Sequence, residues 1–135
     1  MHFLRTVTLA TLALPAVGGP LLAQTPKQWN ERAASGRESP IFYFYAYQGI
    51  SASLCTGFGL PPVKLVEPPQ NGAARIAETD FIPKGCPNPI KATGIFYRPN
   101  PGFVGTDRFT VEKGPQGGIA YGSYEGTNVF NVTVK

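Results

Sequence analysis

The chain of 135 residues carries 12 Lys and Arg against 8 Asp and Glu, a net charge of +4, with 42% hydrophobic residues. That length bounds it to one domain, and no two basic residues are adjacent, which argues against a nucleic-acid face, where cations cluster. The single histidine, His2, lies in the first five residues, so Ser-His-Asp catalysis, Cys-His catalysis and histidine-ligated zinc are excluded from the rest of the chain.

The chain opens as a leader. A short basic start, "MHFLR", precedes "TVTLATLALPAVGGPLLA", an apolar run broken by Pro15, Gly18, Gly19 and Pro20. This is the pattern of a secretory signal peptide over residues 1–23, cleaved after Ala23. The breakers disfavour a membrane anchor, which needs about 20 uninterrupted apolar residues, and no membrane span is expected in the mature chain. Residues 24–40, "QTPKQWNERAASGRESP", are polar and read as a tether with one helical turn around "QWNERAA", carrying the lone tryptophan, Trp29. The domain proper is expected over residues 41–135.

"IFYFYAYQGI", residues 41–50, is the most β-prone run. Strand alternation places Ile41, Tyr43, Tyr45 and Tyr47 on one face and Phe42, Phe44 and Ala46 on the other. "SLCTGFGLPP" is a turn region marked by glycine and proline. A short strand at 62–67 stops at Pro68 and Pro69, "NG" at 71–72 is a hairpin signal, and 73–79 is the return strand. Residues 80–92, "DFIPKGCPNPIKA", are proline-rich and read as an irregular excursion. Strands follow at 93–99 and 106–114, the second with Phe109 and Val111 on one face. "GPQGGIAYGSYEG", 114–126, is a glycine-rich connection holding Tyr121 and Tyr124. The last strand, 126–135, sets Phe130, Val132 and Val134 against Val129, Asn131, Thr133 and Lys135. Sixteen glycines, fourteen prolines, short strands and no sustained helical period point to an all-β sandwich.

Few residues carry chemistry. In an exported protein the two cysteines, Cys55 and Cys86, are expected to form one disulfide; a metal pair lacks further ligands. Glu78 and Asp80 share a strand face and supply the sole support for a small hydrolase, but lone acids at a strand end are ordinarily solvated, and catalysis needs a constellation. "GFGLPP" and "GPQGG" lack the helix and lysine of a phosphate loop. "ETD" at 78–80 is too thin for calcium. "NVT" at 131–133 matches a glycosylation acceptor within a strand, the context of a chance match. No cofactor or metal is expected. The tyrosines at 43, 45 and 47 fit either core packing with hydroxyls at the rim or a platform for an apolar ligand face. Tyr121 and Tyr124 fit either a plain hairpin loop or a contact loop, where tyrosine gives large area at low entropy cost.

"FYRPNPGFVGTDRFTV", closed by "VFNVTV", resembles the bacterial Ig-like and cadherin-like modules of surface adhesins and other exported proteins. The matching positions are Tyr97, Pro99, Phe103, Gly105, Thr106, Asp107, Phe109, Val129 and Val132. "VKLVEPPQNGAARI" is similar to an earlier hairpin of the module through Pro69 and Gly72. The likeness spans residues 61–134. The 80–92 excursion, the cysteine pair and the single copy depart from the pattern, and the calcium motifs of cadherins are absent. The resemblance implies an Ig-like β-sandwich of six to seven strands in an extracytoplasmic setting, periplasmic or secreted. The resulting expectation is a non-enzymatic binding or structural module meeting a protein or glycan at the cell envelope. A carbohydrate-binding module using Tyr43, Tyr45 and Tyr47 is the alternative. The candidate contact surface of the binding module is Tyr43, Tyr45, Tyr47, Tyr121 and Tyr124.

Overall fold

A computed structural model of the chain describes residues 18–19, 24–48, 55–115 and 124–135, and every regular element among them is a β-strand. In chain order these are β1 (Lys27–Ala33), β2 (Ser39–Phe44), β3 (Tyr47–Gln48), β4 (Thr56–Gly57), β5 (Val63–Glu67), β6 (Gly72–Phe81), β7 (Ile90–Pro99), β8 (Gly105–Lys113) and β9 (Gly126–Val134). Apart from Gly18 and Gly19, the leader expected over residues 1–23 lies outside the described residues, as do Tyr121 and the side chain of Tyr47.

Seven strands make two sheets, ordered β1-β9-β8-β5 and β2-β7-β6; β3 and β4 form a short separate ribbon. The chain is an all-β sandwich with one disulfide, as its alternating strands predict. Phe109 and Val111 of β8 and Phe130, Val132 and Val134 of β9 face Ile95 and Tyr97 of β7 and Ile41 and Phe44 of β2 across the core. All nine are at most 7% exposed. Each large apolar side chain buried this way stabilises the fold by roughly 1.5–3 kcal/mol. Cys55 and Cys86 are bonded, with Cα atoms 5.7 Å apart, tying the residue before β4 to the loop between β6 and β7.

The polar tether expected over residues 24–40 is overturned. Residues 27–33 are strand β1, parallel to β9 from Lys27↔Asn128 to Ala33↔Val134. Hydrophilic residues form a strand here because only every second side chain needs cover. Trp29, Glu31 and Ala33 turn toward the other sheet, while Gln28, Asn30 and Arg32 stay exposed. Burial raises the Glu31 carboxyl above its usual range.

The aromatic strand is also corrected. It ends at Phe44, and a bulge between Pro40 and Phe42 leaves Ile41 without a partner on β7. The extra residue shifts the alternation, so Ile41 enters the core rather than joining the tyrosine face. The excursion expected at 80–92 shrinks to residues 82–89. Asp80 and Phe81 pair with Lys91 and Ile90, completing ten register pairs of β6 with β7. Every proline of the excursion lies within 83–89, so backbone N–H groups are intact on either side for pairing.

The β7–β8 connection is a β-turn closed by Phe103 N–H donating to the Asn100 carbonyl at 3.0 Å. Pro101 and Gly102 hold its centre, and Gly102 has φ 79°, the positive value a type II turn needs. Asp107, 4% exposed, then anchors this corner. One carboxylate oxygen accepts from the Gln70 and Arg108 amides at 3.1 and 2.9 Å; the other accepts from the Asn71 amide at 3.0 Å and the Tyr97 hydroxyl at 2.8 Å.

Candidate functional site

The β2 strand is an edge of its sheet, and an aromatic cleft of about 280 Å³ runs beside it. Tyr43, Tyr45, Phe81, Phe44, Tyr124 and Lys113 supply most of its lining. Tyr43 lies on the outer face of β2, opposite Gly94 of β7. A Cβ at Gly94 would fall 2.7 Å from the Phe96 ring and 2.9 Å from Thr79, so only glycine lets those neighbours close over the strand. Beyond it on the same face of β7 is Ala92, fully buried. These two small residues leave room for the Tyr43 ring to reach Phe81 of β6, where the rings stack with centroids 4.6 Å apart and planes 19° apart. Tyr45 approaches the same Phe81 at 4.9 Å. Phe96 continues the outer face and lies under the Arg75 guanidinium at 4.3 Å, itself paired with Glu38.

The other wall comes from the opening between the sheets. Tyr124 is packed at the core edge, 5.0 Å from Trp29 and 5.9 Å from Phe42. Asn128, fully buried, fixes this corner. Its Nδ2 donates to the carbonyls of Tyr124 and Gly126 at 2.8 and 2.9 Å, and its Oδ1 accepts from Trp29 Nε1 at 3.0 Å.

Lys113 completes the cleft. It is in phase with Phe109 and Val111 on β8, so it points between the sheets, and it is 3% exposed. Burial pushes its ammonium below the usual lysine range; Glu125 pulls it back up, and Lys27 pushes it further down.

Of the five tyrosines expected as a contact surface, Tyr43, Tyr45 and Tyr124 thus line one cleft. Tyr121 and the Tyr47 side chain lie outside the described residues. Phe81, Lys113, Asn128 and Trp29 escape sequence reasoning as site residues. Lys113 alone had a legible signal, since two-residue alternation from Phe109 places it on the core face.

The carboxylates Glu78 and Asp80 do share a face, but both are exposed and both meet Lys91, at 3.8 and 2.9 Å. A second hollow, of about 530 Å³, involves Glu78, Lys91 and the Cys55 segment, and its lysine is already neutralised by those acids. No group of three or more His, Cys, Asp or Glu placed to hold a metal occurs among the described residues, and they hold no helix long and apolar enough to cross a membrane. Comparison with known proteins finds no matching family model, no matching curated protein and no matching solved structure.

Proposed function

We propose that this chain is an exported, non-enzymatic binding module with an Ig-like sandwich, which contacts its ligand at the cell envelope through the aromatic cleft beside β2. The observation that carries this reading is that Tyr124, far in sequence from Tyr43 and Tyr45, joins them in lining one cleft. Aromatic walls with a few polar groups are the ordinary composition of a ligand site. The Cys55–Cys86 bond supports an oxidising, extracytoplasmic setting. The acids Glu78 and Asp80, exposed and both paired with Lys91, support a binding role over hydrolysis, because carboxylates already neutralised by a lysine in open solvent are ordinary surface ion pairs.

Carbohydrate binding is the second reading, favoured by the stacked Tyr43–Phe81 pair, which offers flat apolar area to a sugar ring. The test is melting temperature and tyrosine fluorescence of the purified chain across a glycan and envelope-protein panel, beside Tyr43→Ala/Tyr45→Ala. The expected result is a response to at least one panel member that the double variant loses. A response shared by wild type and variant would remove the cleft from the account, and silence across the glycans would remove the carbohydrate reading.

A further inference from the structure

Lysine side chains at a strand end ordinarily carry their ammonium out to water along an apolar stem. Lys113 does not, being 3% exposed. Among the described residues its three donors meet a single acceptor, the Gly114 carbonyl at 3.4 Å, at the outer limit of a hydrogen bond. The three ion pairs among the described residues belong to Arg75 and Lys91. Glu125 acts on Lys113 only through space, and Lys27, the other cation nearby, places its ammonium on the Glu125 carbonyl at 3.0 Å. Two cations therefore face one carboxylate at this end of the sandwich. An ammonium buried without an ion pair is costly, and a ligand that brings an anion to it recovers that cost on binding.

The surroundings define the rest of that ligand. The walls that Lys113 shares with Tyr43, Tyr45, Phe81 and Tyr124 are ring faces and edges, suited to a ring rather than a chain. At about 280 Å³ the cleft falls just below the usual range of ligand sites, about 300 to 1,000 Å³, which suits a single small ring. Low-dielectric walls also strengthen a charge pair formed between them.

We propose that the cleft binds a small carboxylate-bearing ring, its face against the aromatic walls and its carboxylate on the Lys113 ammonium. This rests on the reading of the cleft as the contact surface and adds the chemical class of what it takes. Two sources share that chemistry, a uronic acid of a glycan and a free aromatic acid.

The test is an amide NMR titration of the full exported chain with galacturonate, galactose and benzoate, on wild type, Lys113→Met and Lys113→Arg. Galacturonate or benzoate is expected to shift resonances of Tyr43, Tyr45, Phe81, Lys113 and Tyr124, with galactose weaker by about tenfold or more, the equivalent of about 1.4 kcal/mol. Lys113→Met should abolish that preference and Lys113→Arg should keep it. The acid that binds tighter identifies the source. Melting temperatures of both variants establish that each is folded, and Lys113→Arg keeps the test decisive if the methionine variant repacks. Equal shifts with galacturonate and galactose would overturn the anionic ligand while leaving the cleft as a sugar site, and an undiminished acid preference in Lys113→Met would overturn Lys113 as the group that holds the carboxylate. Silence from all three probes would overturn it too, and the double-tyrosine variant then decides separately whether the cleft serves a larger partner.

Discussion

Asp107 holds more of this molecule together than any other single polar side chain described. Its carboxylate satisfies three backbone amides and the Tyr97 hydroxyl at once, locking the turn before β6 to the start of β8. Removing it leaves several buried donors unpaired, each at about 1–3 kcal/mol. Asp107→Ala is expected to lower the urea-unfolding free energy by about 3 kcal/mol or more, whereas the exposed neighbour Thr106→Ala should change it by less than about 0.5 kcal/mol. Tyr97 gives this corner a pH signature. Burial, then the hydrogen bond to Asp107 and its charge, push the phenol well above the ordinary tyrosine value. A group raised on folding contributes stability that is complete below about pH 10, its unfolded value, and is lost as pH climbs through the higher folded one. Tyr97→Phe should therefore flatten the alkaline fall in stability, read from urea midpoints above pH 10. Lys113 works with the opposite sign. Its value is lowered by burial, so stability should rise with pH from that lowered value up to the ordinary lysine value of about 10.4. Lys113→Met should remove this rise and melt no lower than wild type at pH 7, since it replaces a buried unpaired charge with an apolar stem of like shape.

At the scale of elements, β1 carries the sharpest prediction. Trp29 packs on Phe42 and Phe130 with centroids at 4.6 and 6.4 Å and bonds Asn128, so Trp29→Ala should cost about 3 kcal/mol. A loose tether would predict no loss. As the sole tryptophan, its fluorescence reports the undocking directly. This element was illegible because residues 27–33 contain only Trp29 and Ala33 as apolar residues, and polarity outweighs a two-residue period when the half-buried positions are Lys27 and Glu31. The bulge at Ile41 was hidden for a different reason. A one-residue slip leaves no compositional trace, yet it moves Ile41 from the tyrosine side to the core. The strands β8 and β9 were legible because Phe109, Val111, Phe130, Val132 and Val134 alternate strictly with polar residues, and Pro101–Gly102 marks the turn that leads into β8. Asp107 was legible as a matching position of the module-like run just after that turn. That it reaches across to residues 70 and 71 depends on tertiary packing.

For the whole molecule, the disulfide and the cleft are the two features on which the proposed reading rests. The Cys55–Cys86 bond spans 31 residues, and on a chain-entropy account its removal by Cys55→Ser/Cys86→Ser costs about 3–4 kcal/mol, read as a lowered melting temperature under oxidising conditions. The chain purified under oxidising conditions should show no free thiol. Half of the cleft was readable as the tyrosine-rich run at 41–47. The other half, Lys113 and Phe81, arises only when β8 closes over β2 and when β6 runs on to residue 81 inside what reads as a proline-rich loop. The most direct measurement is in-cell photo-crosslinking with a photoreactive phenylalanine at Tyr43, against the same group at Thr133 on the outer face of the opposite sheet. A cleft that serves as the contact surface predicts one discrete glycan or protein adduct at position 43 that is absent at 133. The same adducts at both positions, or none at 43, would contradict it.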